Sequence, residues 1–123
     1  SQIHLKPADR GDLLYLEDID TAISRIGIYV TGMDFLSFKR DFKTVDAVIR
    51  NFEVIGEAAK NLSKDIKLRN PSVPWEEMYR LRNRVSHEYF GIDYEIIWEI
   101  IWKYLPKNKL DIERILEIER SGK

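Results

Sequence analysis

There is no cysteine among the 123 residues. That excludes disulfide frameworks, thiolate nucleophiles and the commonest structural zinc sites together, and it agrees with a reducing, cytoplasmic setting. Histidine is nearly as scarce. Only His4 and His87 occur, no pair of histidines stands at ligand spacing, and the carboxylates are scattered as helix charges normally are. Neither a metal nor another cofactor is therefore expected. A large net charge is missing too. With 20 Lys and Arg against 21 Asp and Glu the formal charge is −1, so no global field draws a polyanion. Any nucleic-acid surface has to be a local patch. No apolar run approaches the ~20 residues that cross a bilayer. The opening "SQIHLKPADRGD" carries no apolar stretch behind its charges, so neither a membrane partner nor a signal peptide is expected.

What is present reads as one globular domain over 1–123, with 1–8 and 120–123 as frayed ends. The composition is 44% hydrophobic and 33% charged, far from that of a disordered chain. Apolar residues recur at three- and four-residue steps nearly everywhere. Leu16, Ile19, Ile23, Ile26 and Val30 predict a helix over 9–30, ended by Thr31-Gly32. Asp34 is a cap for the next helical stretch, in which Phe35, Phe38, Phe42, Val45, Phe52, Ile55, Ala59 and Leu62 keep one face. That face belongs to one long helix or to two in line, joined at Lys43-Thr44. Asn70-Pro71 and Pro74 mark 63–73 as a connection holding about one helical turn. A further helix starts at Pro74 and runs to about Tyr89, before Phe90-Gly91. Asp93 caps the next, with Ile97, Trp98, Ile100, Ile101 and Trp102 as its apolar face, and Pro106 ends or kinks it. Leu110, Ile112, Ile115, Leu116 and Ile118 form the last. The expected fold is all-α, an up-down bundle of four to five helices.

The chemistry concentrates in "MYRLRNRVSHEYFGIDYE", residues 78–95. Arg80, Arg82, Arg84 and His87 fall within eight residues there. At ~100° per residue, Met78, Leu81, Val85 and Tyr89 form a buried stripe, and Arg82 falls on that same side. An arginine on an apolar face is costly unless a carboxylate holds it or it lines a cleft. Glu57 and Asp46 are the candidate partners. His87 stands about 140° around an ideal helix from Arg82, so a straight helix does not aim both at one phosphate. Either the helix unwinds before Gly91, or a symmetric dimer shares the site.

Several other side chains have both a functional and a bland reading. Glu57, in "IGEAAK", pairs with Arg82, supports His87, or simply forms a surface pair with Lys60. Asn83 orients His87 at i+4 or faces water, and Ser86 lies one turn from Arg82. Arg80, Arg84, Arg50 and Lys43 are candidate RNA phosphate contacts, although most such charges are solvated faces. Trp98 and Trp102 read as core or dimer interface rather than as platforms for bases.

Arg82-x4-His87-x-Tyr89 resembles the signature of the HEPN superfamily, and the chain is most similar to its HepT-like branch. "TGMDFLSFKRDFKTVDAVIRNFEVIGEAAKNLS", "PWEEMYRLRNRVSHEYFGIDYEIIWEI" and "YLP" carry the similarity, in order, across roughly 9–106. Ser86 and Phe52 depart from it without touching the motif. The resemblance implies a HEPN-like helical domain and a homodimer whose two motifs face one cleft. It further implies the toxin of a two-gene toxin–antitoxin pair, a metal-independent endoribonuclease. The implied partners are RNA and a minimal nucleotidyltransferase antitoxin, which silences the toxin by transferring AMP to Tyr89. Elementary chemistry is compatible with these roles. A histidine near neutrality takes and returns a proton, while a guanidinium fork matches phosphate oxygens and stays charged. The rival reading is a non-catalytic bundle that docks a nucleotide or a nucleotidyltransferase.

Overall fold

The three- and four-residue spacing folds into helices, and among the described residues there is no strand. The computed structural model describes residues 10–86 and 91–122, apart from the side chains of Arg10, Arg84, Val85 and Ser86. Helix α1 spans Arg10–Tyr29 and buries Leu16, Ile19, Ile23 and Ile26. Gly32 ends it in the left-handed region at φ 77°, where a side chain would be strained. Asp34 then caps α2, Phe35–Arg40, reciprocally. Its carboxylate accepts from the Ser37 N–H at 2.8 Å, and the Ser37 hydroxyl accepts from the Asp34 N–H at 3.0 Å.

The break in the long apolar face comes at Asp41, two residues before the expected joint at Lys43-Thr44. One residue serves both helices. The Asp41 N–H closes α2 on the Phe38 carbonyl, and its carboxylate caps α3, Phe42–Asn61, by accepting from Thr44 N–H at 3.1 Å. Helix α3 is the centre of the bundle, with Val45, Val48, Phe52, Ile55, Ala58 and Ala59 buried. Fully burying a side chain of the size of Ile or Phe contributes about 1.5–3 kcal/mol, so this face dominates the packing.

Ser63 caps α4, Lys64–Arg69, which occupies the expected connection. Ser63 also donates through N–H and hydroxyl to the buried Asp12 carboxylate at 2.8 and 2.7 Å. The start of α1 is thereby pinned to the end of α3, and the two helices run antiparallel. Helix α5 spans Trp75–Ser86, with Pro74 just ahead of its first residue and the Pro74 carbonyl accepting from Met78 N–H. The expected end near Tyr89 lies outside the described residues.

Asp93 caps α6, Tyr94–Glu99, through the Ile96 N–H at 3.1 Å. Pro106 does not stop the chain's helical course. A π turn, Ile100–Tyr104, leads directly from α6 into α7, Leu105–Arg120, with Pro106 in its first turn. Proline lacks an N–H, and its ring collides with the carbonyl four residues back. The wider turn, in which Leu105 N–H reaches the Ile100 carbonyl, makes room for the ring just ahead of the proline. Helix α7 is tied to α1 by Lys109–Asp20 and Arg120–Glu17, each at 2.7 Å. Trp98 packs on Phe38 with ring centres 5.0 Å apart, whereas Trp102 beside it is 54% exposed. The layers that matter for the site are α1 on α3 and α3 on α5.

Candidate active site

The site begins with a missing side chain. Gly56, in the second half of α3, faces α5, and a Cβ there would lie 2.7 Å from the Arg82 Cβ and 2.9 Å from the Tyr79 carbonyl oxygen. No larger residue fits without moving the α5 backbone, so the glycine is what permits the helices to approach this closely.

That approach decides where Arg82 goes. Its Cβ rests against α3, on the flank of the inward-facing Met78 and Leu81, which are 2% and 5% exposed. The guanidinium, however, runs out of the interface to the surface of α3. Its Nη1 stands 3.3 Å from Glu57 Oε1, with both side chains about half exposed. The expectation of an arginine on the buried stripe is thus corrected. The stem lies on the apolar side and the charged head reaches water, as long basic side chains usually manage. Glu57 is the carboxylate at its head. Asp46 is not, because it stands 11 residues earlier on the same helix, about 16 Å away along the axis.

Arg82 and Glu57 line a groove of about 630 Å³ that runs over α3 between α1 and α5. Asn83 of α5 borders it as well. From α3 come Arg50, Glu53 and Asn61, and from α1 come Tyr15 and Asp18. Arg50 leans on Glu53 at 3.8 Å and is 75% exposed. Among the expected site residues, then, Arg82, Glu57, Asn83 and Arg50 come together. Two do not. Arg80 leaves α5 on the other side, pairs with Glu76 at 3.6 Å and lines a separate hollow toward Glu99 and Tyr104. Lys43 lies at the α2–α3 elbow with Arg40 and Phe42, in a third hollow. The side chains of Arg84 and Ser86 on the last turn of α5 lie outside the described residues, as do His87 and Tyr89 altogether.

Tyr15, Asp18 and Asn61 had no signal in the sequence, since each reads as an ordinary position on the polar flank of a helix. Gly56 had one. An isolated glycine inside a helical pattern marks a close backbone approach, but it does not name the partner helix. Chemically the groove offers one well-supported guanidinium at its rim, shaped for a phosphate or carboxylate. Among the described residues, no three His, Asp or Glu side chains converge as metal ligands would.

Comparison with known proteins gives this geometry its context. The Ribonuclease HepT-like family matches over residues 19–115, which includes both Gly56 and Arg82. The chain belongs to that family. A relative from Methanocaldococcus jannaschii, which carries a provisional RNase name, is 46% identical over 84% of this chain and 85% of its own. The protein named "Probable ribonuclease HepT" from Thermococcus cleftensis is 42% identical over 82% of this chain and 92% of its own. A further protein with a provisional RNase name, from Caldanaerobacter subterraneus subsp. tengcongensis, is 39% identical over 86% and 95%. No solved structure matches. The HepT-like assignment agrees with the all-α fold, and no helix among the described residues is long and apolar enough to cross a membrane.

Proposed function

We propose that this HepT-like chain is a metal-independent endoribonuclease in which Arg82 and His87 act on one phosphate of RNA. The observation that carries the reading is the placement of Arg82, whose stem is held against Gly56 and whose guanidinium stands at the rim of an open groove. Family membership supplies the activity class. His87 takes the proton of the substrate 2′-hydroxyl, and that oxygen attacks the adjacent phosphorus. The bond to the 5′-oxygen breaks, His87 returns the proton to the leaving oxygen, and a 2′,3′-cyclic phosphate remains. Arg82 binds the phosphate oxygens as negative charge grows on them. Because His87 follows Arg82 by five positions, about 140° on an ideal helix, the working unit in this reading is a homodimer with both motifs at one cleft.

The same reading extends to control. The chain is the toxin of a cytoplasmic toxin–antitoxin pair, and its partner is a minimal nucleotidyltransferase. The Tyr89 hydroxyl attacks the α-phosphorus of ATP on that enzyme, pyrophosphate leaves, and the AMP then occupies the ground RNA needs. Tyr89 follows Arg82 by seven positions, nearly the same helical face two turns on, which supports this assignment. The test is cleavage of single-stranded RNA in excess chelator by the wild type, Arg82→Ala and His87→Ala. The wild type should cut, and each variant should lose on the order of 10²-fold or more while melting as the wild type does. Undiminished cleavage by either variant would refute the assignment.

A further inference from the structure

The groove beside Arg82 is poorly suited to a run of phosphates. Asp18, Glu53 and Glu57 outnumber its two arginines, and each arginine already faces a carboxylate, at 3.8 Å for Arg50 and 3.3 Å for Arg82. With two carboxylates matched to the two arginines and Asp18 in excess, such a floor offers a polyanion no net attraction along its length. It does attract a neutral group with N–H donors, because carboxylate and carboxamide oxygens accept hydrogen bonds. Tyr15 adds the second element. Its ring is partly buried against the core and presents its remainder to the groove. A ring held on one side by packing is a stiff platform for a planar ligand. The scale also fits. Asn61 lies four residues beyond Glu57 on α3, about 6 Å along the axis, which is within reach of one nucleotide whose phosphate sits on Arg82.

We propose that this groove is a nucleobase subsite. It takes one base of single-stranded RNA next to the phosphate held by Arg82, stacks it on Tyr15, and reads an exocyclic amino group through Asp18. Cytosine offers such a donor at the position where uracil offers an acceptor, so the subsite distinguishes the two pyrimidines. The proposal rests on the ribonuclease reading for its substrate class, and it is tested by binding rather than by cleavage.

The experiment measures fluorescence anisotropy of short 2′-O-methyl oligocytidylate and oligouridylate, which lack the attacking hydroxyl, with the full-length protein. The wild type should bind oligocytidylate more tightly than oligouridylate. Tyr15→Leu keeps an apolar side chain against the core but removes the ring. It should weaken binding roughly five- to a hundredfold, the range of one lost base–aromatic stack. Tyr15→Phe should restore what Tyr15→Leu loses, and Asp18→Ala should level the two oligonucleotides. Unchanged affinity in Tyr15→Leu, or equally weak binding in Tyr15→Phe, would overturn the stacking role. A preference for cytosine that survives Asp18→Ala would overturn the readout. A wild type that binds in this pattern but cuts no RNA leaves the subsite standing and removes the ribonuclease reading instead.

Discussion

Gly56 faces Arg82 across the α3–α5 interface with no room for a side chain between them. The glycine α-carbon lies so near α5 that a methyl group added to it would sit 2.7 Å from the Arg82 Cβ and 3.0 Å from the Arg82 N. One residue without a side chain therefore sets the depth at which the arginine leaves its helix, and with it the position of the guanidinium beside Glu57.

Gly56→Ala should separate this tertiary effect from helix propensity. Alanine in a helix interior is favoured over glycine by about 1 kcal/mol, but here the clash involves backbone atoms that must shift. Overpacking of this kind costs typically about 1–3 kcal/mol. The variant should be destabilised in urea melts and should lose ribonuclease activity beyond what its folded fraction explains. Gly27 is the control, since a Cβ there meets nothing within 4 Å. Gly27→Ala should be neutral or more stable, with activity intact. Two variants of equal stability would show that the α3–α5 contact is not tight.

The Asp12–Ser63 clasp should matter for folding and not for chemistry. Asp12 is 4% exposed and accepts from both the N–H and the hydroxyl of Ser63. Asp12→Ala leaves the Ser63 N–H without its acceptor, at a cost of about 1–3 kcal/mol. Chemical denaturation should register that loss, while activity per folded molecule stays near the wild-type value.

Lys109 allows a sign to be worked out for pH. Burial pushes its ammonium pKa down, but hydrogen bonds to Asp20 and Glu113 outweigh burial and leave it above the ordinary 10.5. A raised pKa in the folded state means the contribution is complete below the unfolded value and is lost as pH rises through the folded one. Lys109→Met should therefore lower stability by about 1 kcal/mol or less, evenly between about pH 6 and 9. A gap between the two proteins that closed within that window would contradict the pairing.

Much of this architecture is legible in the sequence because the helices are amphipathic and most of their ends are closed by local chemistry. Asp34 and Asp93 stand where their sequence context puts them, each capping the helix that comes after it. The joint at Asp41 escapes such a reading because capping two helices at once leaves no composition change at Lys43-Thr44 or anywhere near it. The π turn before Pro106 is invisible for another reason. Proline signals that the helix must adjust, but not whether it stops or absorbs an extra residue. At the site, Glu57 is one of two candidate partners for Arg82, and only the Gly56 contact in three dimensions selects it. The α1 wall of the groove, Tyr15 and Asp18, depends wholly on how α1 lies over α3.

Subunit mixing tests the shared cleft. If Arg82 of one protomer works with His87 of the other, Arg82→Ala and His87→Ala proteins are each inactive, but mixing them should regenerate activity through heterodimers with one intact pair. Light scattering should show a dimer at micromolar concentration. Mixtures as inactive as their components would place each pair within one protomer.

Modification at Tyr89 has its own readout. Incubation with the nucleotidyltransferase, ATP and Mg²⁺ should add one AMP, located by peptide mapping, and should silence cleavage. Tyr89→Phe should escape both. If Tyr89→Phe is neutralised to the same degree, inhibition comes from binding alone.

The most direct measurement for the central claim is the chemistry of the ends that cleavage leaves. RNA digested by the wild type in excess chelator should carry 2′,3′-cyclic phosphate termini, and a single 2′-deoxy sugar at the cut position should block cutting there. Products ending in 3′-hydroxyl, cutting at the 2′-deoxy position, or loss of activity on chelation would contradict it.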